Sequence, residues 1–242
     1  LLAVAIWQLR GGRLFLTQDT SWGALAVSGL FNSAVPFMLL SWGQQTVTSG
    51  FAGVSMASGA LIMLPLAHLF VPGERITTRR LIGMLVGFAG VTVLLGGQAF
   101  TSGGDPMEPF GRLACIGAAS CYAMSSVLMR RLPPVDPFGL AAMALVFGSM
   151  LVIPAALVVE GPPPLPDTRT LWIVALLGLI PTAMANMLRI LVIRSAGPVF
   201  MSLVSYQVPM WSVILGIIIL GEPFRPALLL AMGLILLGVL VS

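Results

Sequence analysis

Between Asp19 and Glu74 the chain carries no Asp, Glu, Lys or Arg. A hydrocarbon core about 30 Å thick is crossed by about 20 apolar residues in a helix, so this run alone predicts two spans with a turn between them. The turn is expected in the polar stretch Gln44-Gln45-Thr46-Val47-Thr48-Ser49. Further uncharged runs cover Leu81 to Gly104, Leu113 to Met129, Pro137 to Val159, Thr170 to Leu188, Ser195 to Gly221 and Pro226 to the end. Eight full spans follow, at about 22–43, 50–71, 78–98, 110–130, 137–159, 170–192, 198–220 and 224–242.

With 58% hydrophobic and 8% charged residues, the chain has too few polar side chains to cover a soluble globule. The runs are apolar on both faces, whereas an outer-membrane barrel needs short segments of alternating polarity. The expected fold class is therefore all-α, a polytopic membrane protein with the lipid bilayer as its surroundings. The opening Leu1 to Trp7 is apolar and leads into Arg10 and Arg13, so it reads as the tail of a further span and not as a signal peptide.

Lysine is absent, and arginine alone reports orientation through its retention in cytoplasmic loops. Taking alternate loops, one set holds Arg10, Arg13, Arg75, Arg79, Arg80, Arg130, Arg131, Arg189 and Arg194, while the other holds Arg112, Arg169 and Arg225. The first set is expected in the cytoplasm, together with the C-terminus, for a protein of the bacterial inner membrane. The net charge of +4 is then a topology signal. No basic cluster is interleaved with aromatics as single-stranded nucleic acid requires, and no nucleic-acid partner is expected.

The two cysteines, Cys115 and Cys121, lie six apart on one expected helix and lean to different faces, which disfavours a disulfide. His68 is the single histidine, near a helix end, without the companions a metal site needs. No metal and no cofactor are expected. The lack of lysine removes a Walker A loop and Schiff-base chemistry. An intramembrane protease would need a buried Ser/His pair or paired acids, but the acids lie in loops or at helix ends and His68 stands alone.

One unit occurs twice: Gly73-Glu74-Arg75-Ile76-Thr77 and Gly221-Glu222-Pro223-Phe224-Arg225 each close one apolar run and open another. The polar loop 99–109 divides the chain into 110–242, with five spans, and 1–98, with three spans and the opening stub; matched to the five, 1–98 holds the end of helix 2 and helices 3 to 5 of a ten-helix order, and 110–242 holds helices 6 to 10. A repeat unit of five helices is odd, so two copies in one chain must lie inverted across the membrane.

These residues resemble the drug/metabolite transporter superfamily in its ten-helix EamA-type branch. The likeness runs through Arg194-Ser195-Ala196-Gly197, Pro209 and Gly221-Glu222, and in the first half through Gly73-Glu74-Arg75. Leu61 stands where the first half's mid-helix proline would be, with Pro65 a turn later. The resemblance implies a fold of ten helices, its first helix and most of its second absent from this sequence, around a central cavity. It implies an exporter or facilitator of small metabolites and leaves the metabolite open.

Polar groups at membrane depth are costly unless they face a cavity or a partner. The substrate-binding candidates on this ground are Asn32, Ser58, Tyr122, Asn186, Arg189, Ser202 and Tyr206, with Pro36, Pro181 and Pro209 as helix-kinking residues that free backbone carbonyls. Each serine has the alternative of bonding its own helix. Arg189, three positions from Asn186, can hold a carboxylate through two parallel bonds, or it can snorkel to the interface. Gly83, Gly87 and Gly90 form a small-residue stripe suited to close helix packing. Since no acid sits at membrane depth and Glu74 and Glu222 adjoin Arg75 and Arg225, a facilitator or exchanger driven by substrate gradients is expected. The leading function is a transporter of amino acids or similar metabolites, monomeric or homodimeric, working by alternating access. An intramembrane enzyme and a non-transporting structural subunit are the alternatives.

Overall fold

The computed structural model describes residues 2–9, 11–12, 14–16, 21–95, 104–159, 161–162, 167–206, 211, 218 and 226–241. The second Gly-Glu unit, with Glu222, and Pro209 lie outside the described residues. The elements are α1 (Leu2–Leu9), α2 (Trp22–Gly43), α3 (Ser49–Phe70), α4 (Thr78–Leu95), α5 (Glu108–Arg131), α6 (Pro137–Val159), α7 (Thr168–Ala196), α8 (Pro198–Ser205) and α9 (Pro226–Val241). Helices α2, α3, α5, α6 and α7 contain stretches long and apolar enough to cross a membrane. Their outer faces carry exposed apolar residues such as Phe37, Ile153, Leu157 and Trp172, as a surface solvated by lipid requires.

Local chemistry sets the boundaries. The uncharged run before Gly73 breaks where Gly43 ends α2, and Thr48 opens α3 by accepting the Phe51 N–H at 3.2 Å. Asp167 caps α7 in the same way through Thr170, and the hydrogen bond from the Thr170 hydroxyl holds its carboxyl below the usual carboxylate range. Between α3 and α4 the chain turns through Gly73 at φ +86°, a left-handed backbone that suits glycine. The sequence sets Glu74 beside Arg75, but the ion pair it forms is with another arginine. Its carboxylate takes Arg80 at 2.6 Å, because Arg80 in the first turn of α4 folds back over the loop and also reaches the Arg75 carbonyl at 3.3 Å.

Small residues bring the helices together. Along α4 and α9, Gly238 lies on the backbone of Gly83 and Gly87, and Gly90 lies on the backbone of Ala231 and Ile235. Gly43 of α2 abuts Gly111 of α5, and Gly29 abuts Ala144 of α6. One buried cluster joins α3, α4, α5, α8 and α9 through Met63, Met84, Val127, Leu203, Tyr206 and Ile235. A second joins α1, α2, α5, α6 and α7 through Ala3, Leu25, Met129, Leu140, Ile190 and Ile193.

The arginine-rich loops meet at one end of this bundle. Phe15 forms an antiparallel bridge with Val135, flanked by Leu16 N–H to the Pro134 carbonyl and Asp136 N–H to the Leu14 carbonyl, both at 2.9 Å. Arg194 donates to the carbonyls of Met129, Leu132 and Pro133 at 3.1, 2.9 and 3.2 Å, and Arg130 returns to the carbonyls of Ile193 and Arg194. Arg79 likewise reaches the last carbonyls of α9, at Leu240 and Val241. These guanidinium groups satisfy helix C-terminal carbonyls that have no intrahelical donor and sit at the negative ends of the helix dipoles. Arg112, counted in the sequence with the other set of loops, lies in the start of α5, where it pairs with Glu108 of the same helix at 2.5 Å and lies 5.0 Å over the Phe51 ring.

Candidate functional site

Two helices lose their regular winding near a proline. In α2, residues Leu30–Ala34 form a π segment in which the Val35 N–H reaches back five residues to Leu30, just ahead of Pro36. In α7, the π segment Gly178–Met184 contains Pro181. A proline has no N–H for the carbonyl four residues earlier, which for Pro181 is that of Leu177. The Thr182 hydroxyl occupies that carbonyl at 3.0 Å, and in α2 the Ser33 hydroxyl bonds the Gly29 carbonyl at 3.0 Å. Such widened turns move the following side chains off the regular helix face.

That displacement accompanies a polar contact between α2 and α7 at membrane depth. Asn32 Nδ2 donates to Asn186 Oδ1 at 3.1 Å, and the Asn32 carbonyl oxygen Oδ1 accepts from Arg189. The second terminal nitrogen of Arg189 donates to Ser126 Oγ at 2.9 Å and to the Tyr122 carbonyl at 3.3 Å. The Tyr122 ring lies 5.2 Å from the guanidinium carbon, close enough for a cation–π contact. Arg189 thus points inward, and no acidic side chain among the described residues lies within ion-pairing distance of it. Its positive charge is held by neutral dipoles and a ring face.

Arg189 forms part of the wall of a cavity of about 460 Å³ bounded by α3, α5, α7 and α8. Tyr122, Ser126 and Ser202 supply the other polar side chains, and Met56, Met63 and Met201 with small residues such as Gly59 and Ala119 supply the apolar surface. A volume of this order admits a small metabolite. A carboxylate entering it would meet the Arg189 cation through the N–H groups not already given to Asn32, Ser126 and the Tyr122 carbonyl, in a wall that is otherwise mostly apolar. Among the described residues no three His, Cys, Asp or Glu side chains are grouped as a metal site would need, and Cys115 and Cys121 are buried free thiols.

Of the residues singled out in the sequence, Tyr122, Arg189 and Ser202 face this cavity, while Asn32 and Asn186 stand behind Arg189 and orient it. Ser202 Oγ also donates to the Val199 carbonyl at 2.7 Å. Ser58 turns to its own helix, bonding the Ser55 carbonyl at 2.6 Å. Tyr206 is fully buried away from the cavity, its ring across Gly87 and its hydroxyl donating to the Met84 carbonyl at 3.2 Å. Ser126 had not been singled out. It lies one helical turn beyond Tyr122, and that i, i+4 relation to an aromatic candidate was the available signal.

An all-helical bundle with lipid-facing apolar surfaces and a mostly apolar cavity, into whose wall a few polar side chains are set, defines an integral membrane protein with room for a small molecule. The chain belongs to the EamA-like transporter family, which matches residues 1–96 and 109–242. It is 37% identical over 70 residues to the aromatic amino acid exporter YddG of Ancylobacter novellus, covering 29% of this chain and 24% of that protein. It is 27% identical over 134 residues to the uncharacterized transporter YvbV of Bacillus subtilis, covering 55% of this chain and 42% of that protein. The matched regions therefore span less than half the length of either relative. One solved crystal structure superposes with a TM-score of 0.82 at 24% identity, over 99% of this chain and 81% of the other, a likeness of fold.

Proposed function

We propose that this protein carries small amphipathic metabolites bearing a carboxylate, amino acids foremost, across the bacterial inner membrane, and that it is not an enzyme. The observation that carries this reading is Arg189, an inward-facing cation with no acidic partner among the described residues, in the wall of a mostly apolar cavity. Amino acids are favoured by the partial likeness to a protein named as an aromatic amino acid exporter. The same reading takes residues 1–98 and 110–242 as inverted five-helix repeats that rock around the cavity, exposing it to either side in turn. The family match in two segments supports the duplication. Transport then follows the substrate's own gradient, outward for a metabolite made inside.

Substrate recognition is tested by Arg189→Lys, which keeps the charge and removes the planar fork. In proteoliposomes under counterflow, with no pH difference imposed, apparent affinity for carboxylate-bearing substrates should fall about tenfold, as for loss of one charge-assisted hydrogen bond. Decarboxylated analogues should be affected less than twofold. Unaltered affinity for carboxylates at normal expression would remove Arg189 from recognition.

Orientation is tested separately. Single cysteines placed at exposed Ile76 and Gln45, at opposite ends of the bundle, should differ in reaction with an impermeant thiol reagent in intact cells. Gln45→Cys should label and Ile76→Cys should not, placing the arginine-rich end and the C-terminus in the cytoplasm. The reverse pattern would invert the assignment.

A further inference from the structure

The arginine-rich end holds a second concavity, of about 390 Å³, where the end of α3 and the loop after it meet the end of α5. The described arginines around it divide into two groups. Arg79, Arg130 and Arg194 are engaged with backbone carbonyls, and Arg80 is paired with Glu74. Arg75 and Arg131 are exposed, and neither guanidinium has a partner among the described residues. Both line this concavity, one from each half of the chain. Glu74 also borders it, but its carboxylate is neutralised by Arg80 and its other oxygen lies against Gly197.

Two uncompensated guanidinium groups over one concavity present planar forks that match the oxygens of a phosphate. The floor is of another kind. Leu69 and Phe70, in the last turn of the membrane-crossing α3, border the same concavity and are 72% and 43% exposed. A free phosphate has no use for such a floor, whereas a lipid places its phosphate beside the arginines and its acyl chains along Leu69 and Phe70. Basic concavities between membrane helices at an interface suit anionic lipid headgroups for this reason. We propose that this concavity is a binding site for an anionic phospholipid, distinct from the central cavity, whose headgroup phosphate bridges Arg75 and Arg131. A lipid seated there ties the end of α3 to the end of α5, and so joins the first half of the chain to the second on one face of the membrane.

Native mass spectrometry of the detergent-solubilised full chain, titrated with phosphatidylglycerol or phosphatidylcholine, tests this. Phosphatidylglycerol should be retained about fivefold more tightly than phosphatidylcholine per arginine engaged, as expected for one basic side chain at a lipid surface. Arg75→Gln and Arg131→Gln should each weaken phosphatidylglycerol binding about fivefold. Arg131→Lys should keep most of it, and Arg112→Gln at the opposite end should leave it unchanged. A monodisperse gel-filtration peak for each variant separates lost binding from lost folding. Equal phosphatidylglycerol affinity in the wild type and in the double glutamine variant would overturn the proposal. So would inorganic phosphate at millimolar concentration displacing the lipid, which would make the site one for a free anion.

Discussion

Gly90→Leu should prevent stable assembly of the bundle, lowering the midpoint of thermal unfolding in detergent by about 10 °C or abolishing recovery of monodisperse protein. A first side-chain carbon at this position would stand 2.8 Å from the Ile235 nitrogen and 2.9 Å from the Ala231 carbonyl oxygen. Both are backbone atoms of α9, so no rotamer change relieves the overlap and the two helices must separate. Overpacking of this kind costs about 3 kcal/mol, which corresponds to a shift of about 6–12 °C in a protein of this size. The separation also loosens Gly238 from Gly83 and Gly87, and with it the packing of Tyr206 across Gly87. Gly233→Leu on the same α9 is the control, since nothing lies within 4 Å of the added carbon there. Its leucine enters lipid, and leucine is the better helix former, so its midpoint should stay within about 2 °C of the wild type. Equal midpoints for the two variants would show that the close approach of α4 and α9 does not hold the bundle together.

Much of this architecture is legible from where charge is absent, because a hydrocarbon layer excludes charge along a segment whatever its neighbours are. The run from Pro137 to Val159 is bounded in sequence by the same residues that bound α6 in the structure. What lies across a helix interface is harder to read. Ser202 and Tyr206 share a face by spacing, yet Ser202 reaches the cavity while Tyr206 spends its ring and hydroxyl on α4, because Gly87 leaves a slot there. The glycine stripe announced close packing but could not say which helix would fill it.

Polarity alone marked Asn32, Asn186 and Arg189, and the contact between them depends on two π segments whose register no periodicity announces. The prolines gave notice that a carbonyl would be freed. That a hydroxyl one residue beyond Pro181 would take it, and that Ser126 from a third helix would receive Arg189, required the helices in place. The pairing of Glu74 with Arg80 in preference to Arg75 has a similar origin, since adjacency along a turn does not fix which side chain folds back.

Asn32→Asp should weaken apparent affinity for carboxylate-bearing substrates about thirtyfold and slow their transport, while leaving the fold intact or more stable. The substitution changes one atom's identity and almost no volume, so packing around the buried Asn32 is preserved. Its new carboxylate faces Arg189, which already donates to the oxygen of Asn32, and converts a hydrogen bond from a cation to a neutral amide into an ion pair. Asn186, now opposite an acceptor at the former Nδ2 position, can turn its amide to donate. Arg189 then has an internal counter-ion, supplied by a different half of the chain from its own. A substrate carboxylate must compete with that anion for the guanidinium and also enter a cavity that no longer carries a net positive charge. Loss of about 2 kcal/mol of recognition corresponds to about thirtyfold in apparent affinity, and a pair bridging α2 and α7 further opposes their relative movement. The double variant Asn32→Asp with Arg189→Gln removes the pair again and should not restore carboxylate transport, since the arginine is gone. Its thermal midpoint should fall below that of Asn32→Asp alone, because removing the cation leaves the new carboxylate buried without a partner. Counterflow rates with carboxylate and decarboxylated substrates, measured beside the unfolding midpoint, separate these outcomes. Full carboxylate transport by Asn32→Asp would mean that the charge of Arg189 is not what the substrate meets.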